Sequence, residues 1–136
     1  MVRPLTTSPS AAPRVRWREG VESRLHGDGA TTICVLEQWI APGAGAPTHV
    51  HHESEELILV LAGTVEFWSE GSAETLEEGA SIVIPAGARH GFRNAGGGEL
   101  HTIATFPTAR PTVEYEREPG RIYEIGERHR RGEDAP

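Results

Sequence analysis

Two histidines two residues apart, His49 and His51, open the chemistry of this chain. On an extended segment such residues point to the same side, so two imidazoles enter one space. His90 offers a third nitrogen from a separate stretch, residues 79–94, and a carboxylate follows His51 at Glu55 or Glu56. Three imidazoles and one carboxylate, with room left for water or substrate, suit a divalent transition metal in an open coordination sphere. Imidazole favours Fe, Ni, Cu or Zn and the carboxylate also admits Mn, so ligand type does not choose among them. Parity leaves the carboxylate open. Glu55 shares the histidines' side along an unbroken strand, whereas Glu56 does so only if the chain bends or bulges within residues 52–55. No internal repeat of the pattern is present, so one metal per chain is expected.

These groups need strands to aim them. Sixteen glycines and ten prolines in 136 residues punctuate short apolar runs, the texture of strands and turns rather than helices. Residues 14–19 alternate, with Val15 and Trp17 on one side and Arg14, Arg16 and Arg18 on the other, as in a half-exposed strand. Residues 31–41 read as a strand with Ile33, Val35, Glu37 and Trp39 on one face and Cys34, Leu36, Gln38 and Ile40 on the other. Either Glu37 or Gln38 therefore faces the interior. Residues 57–62 are apolar on both faces, so both need cover, one from the interior and one from a second sheet or subunit. Further strands are expected over residues 64–69, 81–84 and 100–106, the last carrying His101. Eight or so short strands with frequent turns predict an all-β sandwich or barrel. Residues 107–119 are expected to wrap its outside, with Tyr115, Ile122, Tyr123 and Ile125 available to pack or cap it. Residues 1–13 read as a flexible arm, 14–125 as the domain, and 126–136 as a disordered charged tail.

Composition narrows the partners. A chain of this length holds one domain. Thirteen basic against 20 acidic residues, a net charge of −7, argue against nucleic acid or an anionic membrane. No apolar run approaches the roughly 18 residues of a membrane span. The first residues lack the apolar core of a secretory signal, and Cys34 is the one cysteine, so a reducing cytoplasm is the expected setting. No Ser–His–Asp arrangement or phosphate loop is evident, so hydrolase and kinase readings fall away.

The spacing Gly43-x5-His49-x-His51-x4-Glu56-x6-Gly63, followed by Gly79-x5-Pro85-x-Gly87-x2-His90-x3-Asn94, resembles the two motifs of the cupin superfamily in their order. The likeness extends over residues 14–115 or so. It implies a cupin double-stranded β-helix, a jelly-roll barrel, with His49, His51, Glu56 and His90 as metal ligands. On that implication Glu56 is taken and Glu55 held in reserve. Gly43, Gly63, Gly79, Pro85, Gly87 and Asn94 are then turn-shaping residues. The same stretches are similar to small single-domain cupins of the quercetin-dioxygenase-like kind.

The expected function is a metal-dependent enzyme acting on a small organic molecule, first of all an oxygenase or dioxygenase. A metal-dependent isomerase or polyketide-type cyclase is the close variant, and a non-catalytic metal- or small-ligand-binding module the alternative class. A proton carrier facing the cavity is sought first in His101, then in Glu37 or Gln38. Trp39 and Trp68 are candidates to wall an apolar pocket, His52 is expected to face solvent, and His26 and His129 are given no role. The apolar outer face of Leu57, Leu59 and Leu61 predicts a homodimer.

Overall fold

The computed structural model describes residues 2–132. Twelve strands run in chain order: β1 (Val15–Arg18), β2 (Val21–His26), β3 (Cys34–Ile40), β4 (Gly45–Val50), β5 (Glu56–Ala62), β6 (Thr64–Ser69), β7 (Ser72–Glu77), β8 (Ser81–Ile84), β9 (His90–Asn94), β10 (Leu100–Phe106), β11 (Thr112–Tyr115) and β12 (Ile122–Glu124). A short helix, α1 (Ile125–Arg131), follows. The strands form two six-stranded antiparallel sheets, ordered β1-β2-β3-β10-β5-β8 and β12-β11-β4-β9-β6-β7. Two such sheets packed face to face make the jelly roll that the sequence led us to expect.

Alternation decides what each strand buries. On β5, Glu56, Ile58 and Val60 face inward while Leu57, Leu59 and Leu61 face out. On β10, Leu100, Thr102, Ala104 and Phe106 face inward while His101, Ile103 and Thr105 do not. The inner faces interdigitate in one core with Leu36, Ile40, Phe92, Val113 and Tyr115. Burying each such large side chain contributes about 1.5–3 kcal/mol. Gly45 lets β4 and β9 approach, because a Cβ there would stand 2.0 Å from the Phe92 carbonyl oxygen. Asn94 closes the turn after β9: its amide donates to the carbonyls of Ile40 and Gly98, and its oxygen accepts from Gly96 N–H.

The structure corrects the reading of the C-terminal third. Residues 107–119 do not simply wrap the outside, because β11 enters the second sheet beside β4. Val113 and Tyr115 alternate inward there, and Tyr123 and Ile125 are also buried, whereas Ile122 is exposed. From Gly126 the chain is helical rather than disordered as far as Arg131. The helix docks through Ile125 and Gly126, and Glu127 pairs with Arg131 at 2.6 Å along it. Its basic last turn complements the helix dipole. Residues 133–136 of that tail lie outside the described part. The N-terminal segment forms no strand but lies along β2, where Thr7 Oγ1 accepts from Gly27 N–H and the Ala12 carbonyl accepts from Arg24.

Candidate metal centre

The site is assembled from four segments. His49 lies on β4, directly opposite His90 of β9 in register. A register shift between Ala46 and His49 marks a bulge in β4. His51 follows the strand's end, and residues 51–55 form the bend between β4 and β5. That bend resets parity, so Glu56 enters β5 facing inward with Ile58 and Val60, while Glu55 is left exposed.

All four groups are buried, and one ligand atom from each lies within 4.8 Å of the others. Each histidine donates its Nδ1–H to a backbone carbonyl: His49 to Pro47 at 2.7 Å, His51 to Thr112 at 2.8 Å, His90 to Ala88 at 2.9 Å. A carbonyl can only accept, so the proton is fixed on Nδ1 and the Nε2 lone pair is left aimed inward. Glu56 Oε1 lies 3.2 Å from His51 Nε2 and 3.3 Å from His90 Nε2. Yet among the described residues none of these three buried atoms finds a hydrogen-bond partner. Buried polar atoms left without partners are rare. A metal ion at their centre satisfies all of them at once, so His49, His51, Glu56 and His90 fit a divalent transition metal.

The electrostatics favour ligation by His49 and Glu56. Burial, then the neighbouring His90 and His51, push the His49 imidazole down to about 3, so it is neutral and able to ligate at pH 7. Burial alone would raise the Glu56 carboxyl, but His51 and His90 more than offset this and hold it well below the usual range. His51 is the counterpart: burial lowers it, and the hydrogen-bonding reach of Glu56 raises it by more.

A cavity of about 40 Å³ adjoins the ligands. Leu36, Phe92, Ala104, Phe106 and Ile125 supply apolar wall, and Gln38, Arg18 and Tyr115 the polar groups besides the ligands. Of the two residues left open on β3, Gln38 therefore faces the cavity and Glu37 does not. Glu37 lies on the outer face of its sheet, where its Oε1 accepts from His26 Nε2 at 2.8 Å and from Arg24 at 3.2 Å. Its Oε2 accepts from His101 Nε2 at 2.6 Å. His101, the first choice for a cavity-facing proton carrier, thus points away from the metal ligands. Trp39 does not wall the pocket either. It stacks on His101 with ring centroids 5.1 Å apart and lies under Arg14 and Arg24. Trp68 lies across Gly91 and donates to Thr48 Oγ1, lining a separate outer cleft. His52 is exposed, as expected, and bonded to Glu114.

Arg18 and Tyr115 escaped the sequence reading. Simple alternation put Arg18 on the exposed side with Arg14 and Arg16, but the register between β1 and β2 shifts between Arg16 and Arg18. That irregularity buries Trp17 and Arg18 together. Arg18 donates to Tyr115 Oη at 2.8 Å and to the Gly45 carbonyl at 3.1 Å. No local pattern announces a bulge of this kind.

Residues 36–106 match the family described as Cupin domain. The chain belongs to the cupin family. Its curated relatives include Protein SchB of Streptomyces halstedii, 33% identical over 75 residues, which make up 55% of this chain and 54% of that protein. Polyketide synthase CurC of Streptomyces cyaneus is 34% identical over 75 residues, covering 55% of this chain and 49% of CurC. The chain thus spans about half the length of these relatives. Among solved structures, this cupin is similar in fold to a sugar phosphate isomerase from Silicibacter pomeroyi, with a TM-score of 0.73 at 18% identity, covering 88% of this chain and 91% of that one.

Proposed function

We propose that this cupin is a metal-dependent enzyme acting on a small organic molecule, and that its reaction is an oxygenation, of the quercetin-dioxygenase-like kind. One observation carries the reading: His49, His51, His90 and Glu56 converge beside a small, mostly apolar cavity, and among the described residues His51 Nε2, His90 Nε2 and Glu56 Oε1 find no hydrogen-bond partner. A divalent metal held by His49, His51, Glu56 and His90 would supply the Lewis-acid or redox chemistry that such an oxygenation needs. The apolar wall of Leu36, Phe92, Ala104 and Phe106 excludes bulk water from that chemistry. Gln38 offers a carboxamide that orients a ligand by hydrogen bonding without titrating. Tyr115, pushed up by burial against the partly offsetting Arg18, keeps its phenolic proton at neutral pH.

An isomerase or polyketide-type cyclase is the second reading, supported by the sequence likeness to the polyketide synthase CurC. It asks for a group that carries a proton between two carbons. Among the described residues, the cavity wall holds no carboxylate or imidazole beyond the candidate ligands, which favours oxygenation over isomerisation. A binding module without turnover is the outcome if no substrate is consumed. The same reading takes the protein as a cytoplasmic homodimer, supported by the unpaired, buried Cys34 and by the exposed leucines of β5.

The test is metal analysis of the purified protein, then O₂ uptake with enediols, diketones and phenolics. Substrate-dependent O₂ uptake that is lost on chelation and restored by metal bears out the oxygenase. Turnover without O₂ uptake gives the site to an isomerase or cyclase.

A further inference from the structure

We propose that α1 is a lid on the metal cavity, hinged where it leaves β12 at Glu124, and that it swings out to admit the ligand. The inference rests on the reading of the cavity as a small-molecule site and adds the route by which that site is reached.

The cavity is small and shut. Every residue on its wall is buried, and its volume of about 40 Å³ has room for a few water-sized groups. Sites for small organic molecules run to about 300–1,000 Å³. A ligand of that class therefore enters only if part of the wall moves. Among the described residues, the wall positions lie on strands of the two sheets, apart from the candidate ligand His51 in its bend and Ile125 on α1. Moving a strand breaks its ladder of hydrogen bonds. The backbone bond that ties the start of α1 to the second sheet runs from Ile125 N–H to the Pro111 carbonyl at 3.0 Å. Gly126, the next residue, lines an outer groove of about 390 Å³. The first turn of α1 thus meets the cavity through one residue and the groove through the next, and its displacement opens the cavity toward a volume of ligand size.

The lid is lightly held. Seven residues are too few for a helix that is stable by itself, and Ile125 and Gly126 are the residues it buries. Its other contacts are polar or lie at the surface. Arg128 stands over the Tyr123 ring at 4.0 Å. Arg130 pairs with Asp28 at 3.4 Å, both side chains being about half exposed, and such pairs contribute little. His129 packs on Trp17 and reaches the backbone of Ser23 on β2. Trp17 also walls the cavity, so His129 is the latch between lid and wall. Among the described residues, His129 Nε2 and Ser23 Oγ are buried without a hydrogen-bond partner, a cost of the docked position that release removes. The strand side of the hinge is fixed, because Glu124 pairs with Arg110 at 3.1 Å and β12 pairs with β11. Segments with so little buried apolar contact open locally while the sheets stay intact.

A thiol under the lid tests this in the full chain without recourse to turnover. In a Cys34→Ala background, Val113→Cys puts a thiol on the cavity wall, and Val60→Cys puts one in the core off that wall. Labelling with methyl methanethiosulfonate is followed by mass spectrometry, beside hydrogen exchange of the Ile125 amide. The two probes should report the same open fraction for the lid, nearly independent of low urea. Combining His129→Ala with Asp28→Ala should raise both rates about tenfold, since labelling follows the population of the open form when closing is fast. Labelling of Val60→Cys and exchange of the β3 amides should not change. Labelling of Val113→Cys no faster than that of Val60→Cys overturns the proposal, as does a rate that the latch variant leaves unmoved while Ile125 exchanges faster. If the latch variant does not fold, urea decides: labelling of Val113→Cys as steep in urea as global unfolding overturns the lid. Local opening in a protein that turns over no substrate supports the lid and refutes only the enzyme reading.

Discussion

His49 on β4 and His90 on β9 are register partners, their rings 4.2 Å apart at the centroids. The two motifs, whose histidines here stand 41 positions apart in the chain, are thereby joined by one antiparallel pairing. Any change that slips β4 against β9 would separate two ligands at once, because a one-residue shift reverses which side chains face inward.

The first prediction concerns metal content. The purified protein should hold close to one divalent metal per chain, and His49→Ala, His51→Ala or His90→Ala should each lower affinity by more than the roughly 10–100-fold lost with an outer hydrogen-bond partner. Glu56→Gln should weaken binding more than Glu55→Gln, since Glu56 is buried among the ligands and Glu55 is exposed. Elemental analysis after dialysis against a chelator reads the order. Full retention in all three histidine variants would falsify the site.

The second concerns His101. Joined to Glu37 on the outer face of the sheet, it should act on stability rather than on the metal. His101→Ala should lower unfolding free energy by about 1.5–3 kcal/mol, the range for a hydrogen bond to a charged group, with metal content unchanged. Urea denaturation and metal analysis on the same sample check this.

The third is a pH dependence with a defined sign. Burial would raise the Glu37 carboxyl, but hydrogen bonds from His26 and His101 hold it below the usual carboxylate range. A lowered carboxyl contributes stability that is fully present above its ordinary value, about 4, and is lost as pH falls below that toward the lowered value. Denaturation curves between pH 3 and 6 should show a weaker acid dependence in Glu37→Gln than in wild type. Parallel dependence in the two proteins would remove Glu37 from the account.

The fourth concerns the outer face of β5. Leu57, Leu59 and Leu61 are 36%, 39% and 37% exposed, with Val83 beside them at 64%. Val83 is the register partner of Leu57, so these side chains form one apolar surface. A homodimer through this face should appear in sedimentation equilibrium, and Leu59→Glu should convert it to monomer. Wild-type protein that is monomeric at micromolar concentration would exclude the interface.

The fifth concerns Cys34. Burial pushes its thiol up to about 11. The thiolate is the reactive form, so alkylation by iodoacetamide at pH 8 should be slow in the folded protein and fast once urea unfolds it. Rapid labelling of the native protein would show that the strand carrying Cys34 opens readily.

What the sequence determined by itself was the fold class and which four residues are the candidate metal ligands. His49, His51, Glu56 and His90 were legible because two motifs with fixed spacing encode the turns around them, and turn chemistry is local. Apolar alternation likewise identified the outward leucines of β5, since the period of a strand is set by its backbone alone. What only the tertiary structure decided was which face of β3 looks inward, and hence that Gln38 rather than Glu37 or His101 reaches the cavity. Both faces of that strand carry apolar residues, so periodicity could not choose between them. Arg18 was hidden by the irregularity between Arg16 and Arg18, which reverses parity without any mark in composition. The helix from Ile125 was hidden because its dense charge resembles a solvated tail, and its order comes from contacts such as that between His129 and Trp17, 6.0 Å apart by ring centroid and 112 residues apart in the chain. Short-range geometry is written in neighbouring residues, whereas the direction a side chain faces depends on what the folded chain packs against it.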